Sequence, residues 1–480
     1  MPKTVVRYAG SFIGENEITH PDRGLAVINP YSQEVIGNIS CATVEDVDQA
    51  VEKADEVFRE SMKKMPAYKR SEILRKTADL LEGQFEDFAR MLTLEAGKPI
   101  QEARGEVTRA VQVLRFSAEG AKAIYGEHIP MDSAIGGEKQ IGITKRVPIG
   151  VIAAITPFNF PLNLVLHKVA PAIATGNTVV LKPAEKTPFS AVMLHRLFHK
   201  AGLPAGAFNI VMGPGQELVK PLVTHPKVKK VTFTGSGAVG WMIKEMVPRK
   251  RVTLELGSNA PNIIFSDADL QQAVDAITMG GYTFAGQACV AAQRVYVEQS
   301  IYDEFVDKLV EKLEELHVGD PLDEKTTFGP MITEEAAIRA ESWINDAVVG
   351  GAKVVTGGKR EGTLLEPTVL TNVTPEMKVV CAEVFAPIVT VIPFETEDEA
   401  VAAANDSEFG LHAGVFTKNI DRAFRVAEAI ETGGVWINEV SVRRYDHIPY
   451  GGVKNSGFGK EGVKYAMEDM LETKFIGIKL

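Results

Sequence analysis

Cysteine is scarce: three residues among 480, at positions 41, 289 and 381, are too few and too scattered for a disulfide framework. The fold must therefore rest on its packed core, and a reducing compartment is expected. Positive charge is also in deficit. Lys and Arg number 52 against 63 Asp and Glu, a net charge of −11. That balance argues against a general binder of nucleic acid or anionic membrane, so any anionic partner must be held locally. Met1 to Gly14 carries no apolar stretch of signal-peptide length, and a cytoplasmic location is expected. Long apolar runs are nearly missing. The uncharged stretch Val147 to Leu166 is about the length needed to cross a bilayer, but Pro148, Pro157, Asn159, Pro161 and Asn163 interrupt it. It reads as a buried strand, a polar loop and a helix start. Zinc-type cysteine pairs, HExxH, GxSxG and GxxxxGK[ST] are absent. His195 and His199 stand four apart on one helix, but Arg196 follows the first and no carboxylate partner is evident, so both read as packing or surface residues and no metal is expected.

What is present is ordinary globular material, 45% apolar and 24% charged, long enough for about three domains or one large two-lobed unit. Thr43 can cap a helical run with apolar Val44, Val47, Val51 and Ala54, and similar runs lie within Tyr68–Gly97 and Gln101–Tyr125. From Ile129 to Val147 the pattern turns to a hairpin or extended ribbon. From Gly150, short apolar runs (GVIAAI, TVVLK, FNIVM, KVTFT, VTLEL) alternate with helical segments, the first near Leu162–Ala174. That alternation predicts a parallel sheet with helices on both faces. After Asp267 the rhythm continues through RVYVE, a helix near Tyr302–Leu316, and strands near Pro387–Pro393, AGVFT and GGVWIN, which predicts a second α/β lobe. The segment Leu471–Leu480 reads as a strand able to pair with the ribbon or with another subunit.

Ligands of open α/β sheets bind beyond the carboxyl ends of the strands. Five consecutive expected strands are followed there by unusual residues: Thr156-Pro157-Phe158-Asn159-Phe160-Pro161, Lys182-Pro183-Ala184-Glu185, Gly213-Pro214-Gly215, Gly235 to Gly240, and Gly257 after Glu255. Gly235 to Gly240 fits GxGxxG between a strand and a helix, where small residues let backbone N–H groups approach a pyrophosphate. Spacing assigns the adenosine ribose to Glu255, with Glu185 beside Lys182 as a rival; if Glu185 takes it, Glu255 is free for proton transfer. Cys289 lies among small residues that leave room around its sulfur. A nucleophilic thiol needs a cation, a base or a helix terminus to raise its thiolate fraction. Cys41, in a polar turn, and Cys381, before Glu383, read as structural.

These pieces, in this order, resemble the aldehyde dehydrogenase family over nearly the whole chain. The matching segments are TPFNFP at 156–161, LKPAEKTP at 181–188, FTGSGAVG at 233–240, LELG at 254–257, FAGQACVAAQR at 284–294, EVFAP at 383–387 and IPYGGVKNSGFGKEG at 448–462. The resemblance implies an α/β fold with a Rossmann-type cofactor domain (1–123 and 148–257), an α/β catalytic domain (258–460) and a small β oligomerisation arm (124–147 and 461–480). It implies that Cys289 attacks the aldehyde carbon, that the Asn159 amide and the Cys289 N–H hold the oxyanion, and that Glu255 activates the water that hydrolyses the thioester. Lys182 and Glu185 match positions at the adenosine ribose, Ser236 a pyrophosphate contact, and Glu383 with Phe385 the nicotinamide ribose and ring. Thr156, Pro157, Phe158, Ala184, Gly215, Phe233, Gly235, Val239, Leu256 and Gly257 complete the expected cofactor crevice. A carboxylate at position 185 repels a 2′-phosphate, so NAD is favoured over NADP.

Two departures stand in the motifs: Ser258 and Ala386 occupy positions where glycine is usual, and both are expected to be tolerated. Positions resembling the aldehyde tunnel are mixed. Phe160 is apolar, while Asn163, His167 and Tyr450 supply hydrogen bonds, and Arg115, Arg443 and Arg444 are candidates for a carboxylate, phosphonate or sulfonate. A short polar or anionic aldehyde is the expected substrate. LNLVLHKVAPA and GVKYAMEDM are most similar to the lactaldehyde, succinate-semialdehyde and phosphonoacetaldehyde dehydrogenases. The alternatives are an acylating dehydrogenase that passes the acyl group to coenzyme A, against which Glu255 speaks, and a catalytically silent NAD-binding or structural protein on the same fold, against which Cys289, Glu255 and Asn159 speak. A homodimer or homotetramer is expected, with no nucleic-acid or membrane partner.

Overall fold

The computed structural model describes residues 8–480. Residues 1–7, part of the segment read above as lacking a signal sequence, lie outside the described residues. Two largely parallel sheets organise the chain. In the first, Arg251–Glu255, Val228–Thr234, Val151–Ile155, Thr178–Lys182 and Phe208–Ile210 run parallel in that spatial order. Antiparallel edges close it: Gly457–Phe458 on one side, Ser11–Ile13 with Asn16–Ile18 on the other. The central strands are buried along their whole length because both faces are covered. Ile152, Ala154, Val179 and Leu181 enter one core, Val151, Ala153 and Val180 the other.

Chain order along this sheet reverses between Val151–Ile155 and Val228–Thr234, neighbours whose following loops diverge. Such a switch point opens a crevice at the carboxyl ends of the strands. The second sheet has the order Lys353–Thr356, Thr368–Thr371, Ile388–Phe394, Arg294–Glu298, Pro261–Ile264, His412–Phe416, Gly434–Ile437, parallel except at its first pair.

Before the first sheet lies a helical layer. Thr43 caps Val44–Glu60 through a reciprocal capping box with Asp46. The expected run Tyr68–Gly97 is two helices, Ala67–Glu82 and Phe85–Ala96, with the break at Gly83 and Gln84. Ile100–Gly120 follows and packs against Asn163–Thr175. The expected ribbon is a short strand, His128–Ile129, a connection containing the short 3-10 helix Met131–Ser133, and the strand Gln140–Pro148. Leu471–Lys479 pairs antiparallel with Gln140–Pro148 along its whole length, Leu471 opposite Pro148 and Lys479 opposite Gln140. Among the described residues, no helix is long and apolar enough to cross a membrane.

Candidate active site

A cavity of about 330 Å³ lies between the two sheets. The first sheet lines it with residues that follow its strands, among them Pro157, Phe158, Asn159, Gly235, Ser236 and Glu255. The second lines it with residues that precede its strands: Ala288, Cys289 and Val290 ahead of Arg294–Glu298, and Glu383 and Phe385 ahead of Ile388–Phe394.

Cys289 reaches the cavity through a sharp reversal. After the helix Leu270–Tyr282, Phe284 (φ 48°), Ala285 (φ 51°) and Gly286 (φ 67°) all take left-handed backbone. A Cβ at Gly286 would lie 2.2 Å from the Ala386 carbonyl oxygen, so only glycine fits there. The two strained residues are held in place by their surroundings, as functional turns require. The Phe284 N–H donates to Glu102 at 3.1 Å. The half-buried Cys289 has its Sγ 2.9 Å from the Tyr450 hydroxyl. Burial pushes its thiol up to about 11, opposed by Tyr450 and Arg444 and reinforced by Glu383 and Glu255.

Asn159 is placed by the loop after Val151–Ile155. Its side-chain amide donates to the Gln287 carbonyl at 3.0 Å, two residues before Cys289, and its own carbonyl accepts from the Lys98 ammonium at 2.9 Å. Lys98 is paired with Glu106, both completely buried, and lies over the rings of Phe160 (4.0 Å) and Phe284 (4.8 Å). The second oxygen of Glu106 accepts from the Leu162 and Asn163 N–H groups, 3.0 Å each. Glu102 and Glu106, both on Ile100–Gly120, with Lys98 just ahead of that helix, thus fasten the Asn159 loop and the turn before Cys289 to one rigid element.

Glu255 ends its strand with a buried carboxyl whose oxygens have no hydrogen-bond partner. Burial and then the charge of Glu461 raise it well above the ordinary carboxylate range. Beside it the Lys168 ammonium donates to Thr234 and to Glu461, 2.6 Å each, and Arg444 donates to the other Glu461 oxygen at 3.2 Å. Burial works against the charge of Glu461, but the neighbouring cations, Lys168 first, keep its carboxyl below the usual range.

At the far wall, Asp446 accepts from Arg109 (2.7 and 3.2 Å), His167 (2.8 Å) and Asn163 (3.2 Å). Burial lowers the His167 imidazole, which stays neutral. His167 braces Asp446 from beneath and is not among the cavity-lining residues, a correction to its expected place at the substrate. Two buried polar atoms of lining residues remain without partners, the Asn163 side-chain oxygen and the Arg444 Nε. Phe160 and Tyr450 also line the wall. Arg115 and Arg443 do not: Arg115 pairs with Glu82 on the exposed surface, and Arg443 pairs with Glu439 and covers the Tyr445 ring.

Toward the expected cofactor crevice, the Lys182 ammonium donates to Glu185 at 2.8 Å, and Glu185 stays partly exposed beside half-buried Ala184. Burial opposes ionisation of Glu185, but Lys182 holds its carboxyl below the ordinary range. Gly215 begins Gly215–Thr224 next to the Lys182 ammonium, and Ser236 precedes Gly237–Met246, which contains Val239. A Cβ at Gly237 would meet nothing within 4 Å, so this helix start faces open space. Phe233 is buried at the end of its strand, Leu256 and Gly257 line the cavity, and the buried Thr156 hydroxyl has no partner. Phe158 and Phe385 meet edge to face at 6.0 Å. Glu383 accepts from the Ser258 N–H at 3.2 Å, and burial raises it to about 7. A Cβ at Gly257 would lie 2.4 Å from the Glu383 carboxylate, so a larger residue would displace that side chain. Ser258 and Ala386, the two departures from glycine, are not among the positive-φ residues, so neither Cβ strains the backbone.

Sequence reading missed Arg109, Arg339 and Val442 in the cavity wall and the buried ions Lys98, Glu106, Lys168 and Glu461 behind it. His195 packs between the Phe12 and Phe208 rings, Cys41 is buried and Cys381 exposed.

Comparison with known proteins gives this geometry a family. The chain matches the aldehyde dehydrogenase family over residues 18–476. It is 46% identical over 478 residues to the 3-sulfolactaldehyde dehydrogenase of Priestia megaterium, covering 99% of both chains. The solved structure of aldehyde dehydrogenase 21 from Physcomitrella patens, in complex with the reaction product succinate, superimposes with a TM-score of 0.96 at 41% identity, covering 98% of each chain. That of betaine aldehyde dehydrogenase from Staphylococcus aureus, in complex with NAD+, gives 0.94 at 36% identity, covering 98% of this chain and 94% of that one. With the family match spanning nearly the whole sequence and the two-sheet architecture shared throughout, the chain belongs to the aldehyde dehydrogenase family.

Proposed function

We propose that this protein oxidises a short aldehyde bearing an anionic group, with or without a hydroxyl beside the carbonyl, to the carboxylic acid, using NAD in preference to NADP. The observation that carries the substrate reading is the pair of unpartnered atoms in lining residues. Arg444 offers an N–H and Asn163 an oxygen, both desolvated and without protein partners, and a buried polar atom left unpaired costs about 1–3 kcal/mol, which a complementary ligand group recovers. Charge agrees. The cations Arg109 and Arg444 stand in the cavity wall, backed by Asp446 and Glu461, and a sulfonate or carboxylate on the substrate complements them. The relative named for 3-sulfolactaldehyde and the structural neighbour holding succinate are enzymes of anionic compounds of this size.

Cys289 acts as the nucleophile. Its thiolate forms the bond to the aldehyde carbon, and the carbonyl electron pair moves to the oxygen, held by the Asn159 amide and the Cys289 N–H; one such donor is worth about 3 kcal/mol of barrier. Lys98 and Glu106 keep Asn159 in place during this charge development. A bound oxidised nicotinamide supplies the acceptor for the hydride, leaving a thioester on Cys289. Lys182 and Glu185 would hold its adenosine ribose, Ser236 and the open helix start its pyrophosphate, and Glu383 with the Phe158 and Phe385 rings its nicotinamide end. These residues fit such a group: the helix start is clear and the Thr156 hydroxyl has a bond to give. Glu255, once ionised, takes a proton from the attacking water, the C–S bond breaks with its electron pair returning to the sulfur, and the acid leaves. Glu461 and Lys168 lie alongside, Glu461 strengthening the hold of Glu255 on a proton and Lys168 weakening it. In this reading residues 1–123 and 148–257 bind cofactor, 258–460 carry the nucleophile, and 124–147 with 461–480 form the arm of a homodimer or homotetramer.

The test is NADH formation with sulfolactaldehyde, succinate semialdehyde, lactaldehyde and propanal, each with NAD or NADP and with or without coenzyme A. The anionic aldehydes should give the highest kcat/KM and yield free acid. Arg444→Met should cut kcat/KM for them by about 10- to 100-fold while sparing propanal more. Equal rates on propanal in both proteins and no preference for anions in the native one would overturn the substrate reading. Acyl-coenzyme A as product would overturn hydrolysis.

A further inference from the structure

We propose that the Tyr450 hydroxyl is a further catalytic group, donating a hydrogen bond that favours the thiolate of Cys289; this rests on Cys289 being the nucleophile. The Tyr450 oxygen is 2.9 Å from Sγ, and among the described residues no other hydrogen bond reaches that sulfur. Val290, Leu411 and Val442 pack around the pair. Burial that raises a thiol needs a compensating donor if the sulfur is to ionise at all.

Tyr450 is built to remain there. It is 2% exposed, and its backbone N–H and carbonyl both bond to Glu461, at 3.1 and 2.6 Å. The Arg444 guanidinium covers one side of the ring at 3.7 Å, and the His412 ring meets it at 4.8 Å. A cation on the ring face draws electron density from the phenol and strengthens it as a donor. Burial, with Cys289 and Glu255 adding to it, keeps the phenol's own proton in place against Arg444. Once the sulfur ionises it can only accept, so the direction of the bond is fixed. The charged and titratable groups facing the pair are Arg444, which favours the thiolate, Glu255 and Glu383, which oppose it, and His412, kept neutral by burial at about 4. Beyond Glu255 stand Glu461, Lys168 and Lys460.

Tyr450→Phe keeps the ring and its stacking and deletes only the donor. The protein is treated with iodoacetamide over a pH series, without cofactor, and the modification at each cysteine is followed by mass spectrometry. The thiolate displaces iodide, so the rate reports the ionised fraction, partly offset by the greater nucleophilicity of a more basic sulfur. Loss of the donor should slow Cys289 modification about three- to tenfold at fixed pH. Exposed Cys381 is the internal reference and should not change. Replacing Tyr450 with fluorotyrosine, a more acidic phenol, should move the Cys289 rate the opposite way, and this second variant holds even if the first is poorly folded. An unchanged or faster Cys289 rate in Tyr450→Phe with Cys381 constant, or no response to fluorotyrosine, would overturn the proposal. Failure of the nucleophile reading is distinguished separately: Cys289→Ala would then retain NADH formation.

Discussion

The two sheets meet the cavity with opposite ends. The first presents the carboxyl ends of its parallel strands, so its contributions are loop backbone, helix starts and one strand-terminal acid, Glu255. The second presents the amino ends, so its reactive groups arrive on turns that precede strands and must reverse sharply. The left-handed Phe284, Ala285 and Phe385 are all on that side. A switch point between parallel strands yields a crevice without strain. Positioning a sulfur at the wrong end of a strand requires strained backbone, and the surrounding packing must hold it there. On the proposed mechanism, holding the dinucleotide and doing covalent chemistry would place different demands on similar sheets.

The sharpest way to break that contrast is to remove one reactive group from each side. Cys289→Ala should abolish NADH formation, a loss of at least about 10⁴-fold in kcat; a retained rate would refute the role of the second sheet. Glu255→Gln should keep a stoichiometric burst of NADH in rapid mixing while steady turnover falls about 10³-fold. Loss of the burst as well would show that the first sheet does more than water activation.

A smaller effect tests whether the helix Ile100–Gly120 couples the two sides. Lys98→Met should lower kcat by about 10²-fold, and this loss should vanish in an Asn159→Ala background if Lys98 acts through Asn159. Breaking a buried ion pair also costs about 3–5 kcal/mol of stability, so unfolding by heat is read alongside; an additive loss in the double variant would mark a purely structural role. The pH profile sharpens the comparison further. Cys289, raised to about 11, must lose a proton before it attacks, so kcat/KM should climb about tenfold per pH unit from neutrality upward, while the raised Glu255 enters at the later hydrolysis and so in kcat. A rate independent of pH in that range would count against these resting states. The smallest change is expected at the cofactor side: Glu185→Ala should shift the NAD/NADP ratio about tenfold toward NADP. An unchanged ratio would count against the ribose role.

Much of this arrangement was readable in the sequence, for physical reasons. Strands such as Val151–Ile155 are buried on both faces and appear as unbroken apolar runs, and the loops after them carry glycine, proline and polar residues where a ligand approaches. Long-range charge pairing was not readable. Arg109 and Arg115 lie on one helix, but six positions correspond to about 240° of rotation, so only one can face the cavity. Adjacent Arg443 and Arg444 are likewise divided, one over Tyr445 and one over Tyr450. One signal was available and unused. Lys168 is a charged residue in Asn163–Thr175, where every position is buried, and such a lysine demands a counter-ion from elsewhere in the fold. Its partner, Glu461, lies nearly three hundred positions away, separated by |i−j| = 293.

The segment from Tyr450 to Glu461 has a mechanical consequence. It leaves the nucleophile's neighbour, Tyr450, adds Gly457–Phe458 to the edge of the other sheet opposite Leu254 and Glu255, and returns to pair Glu461 with Tyr450. This is a seam sewn through both halves at the reaction centre. Prising the halves apart would first break the pairings that set Glu255 close to Tyr450 and Cys289.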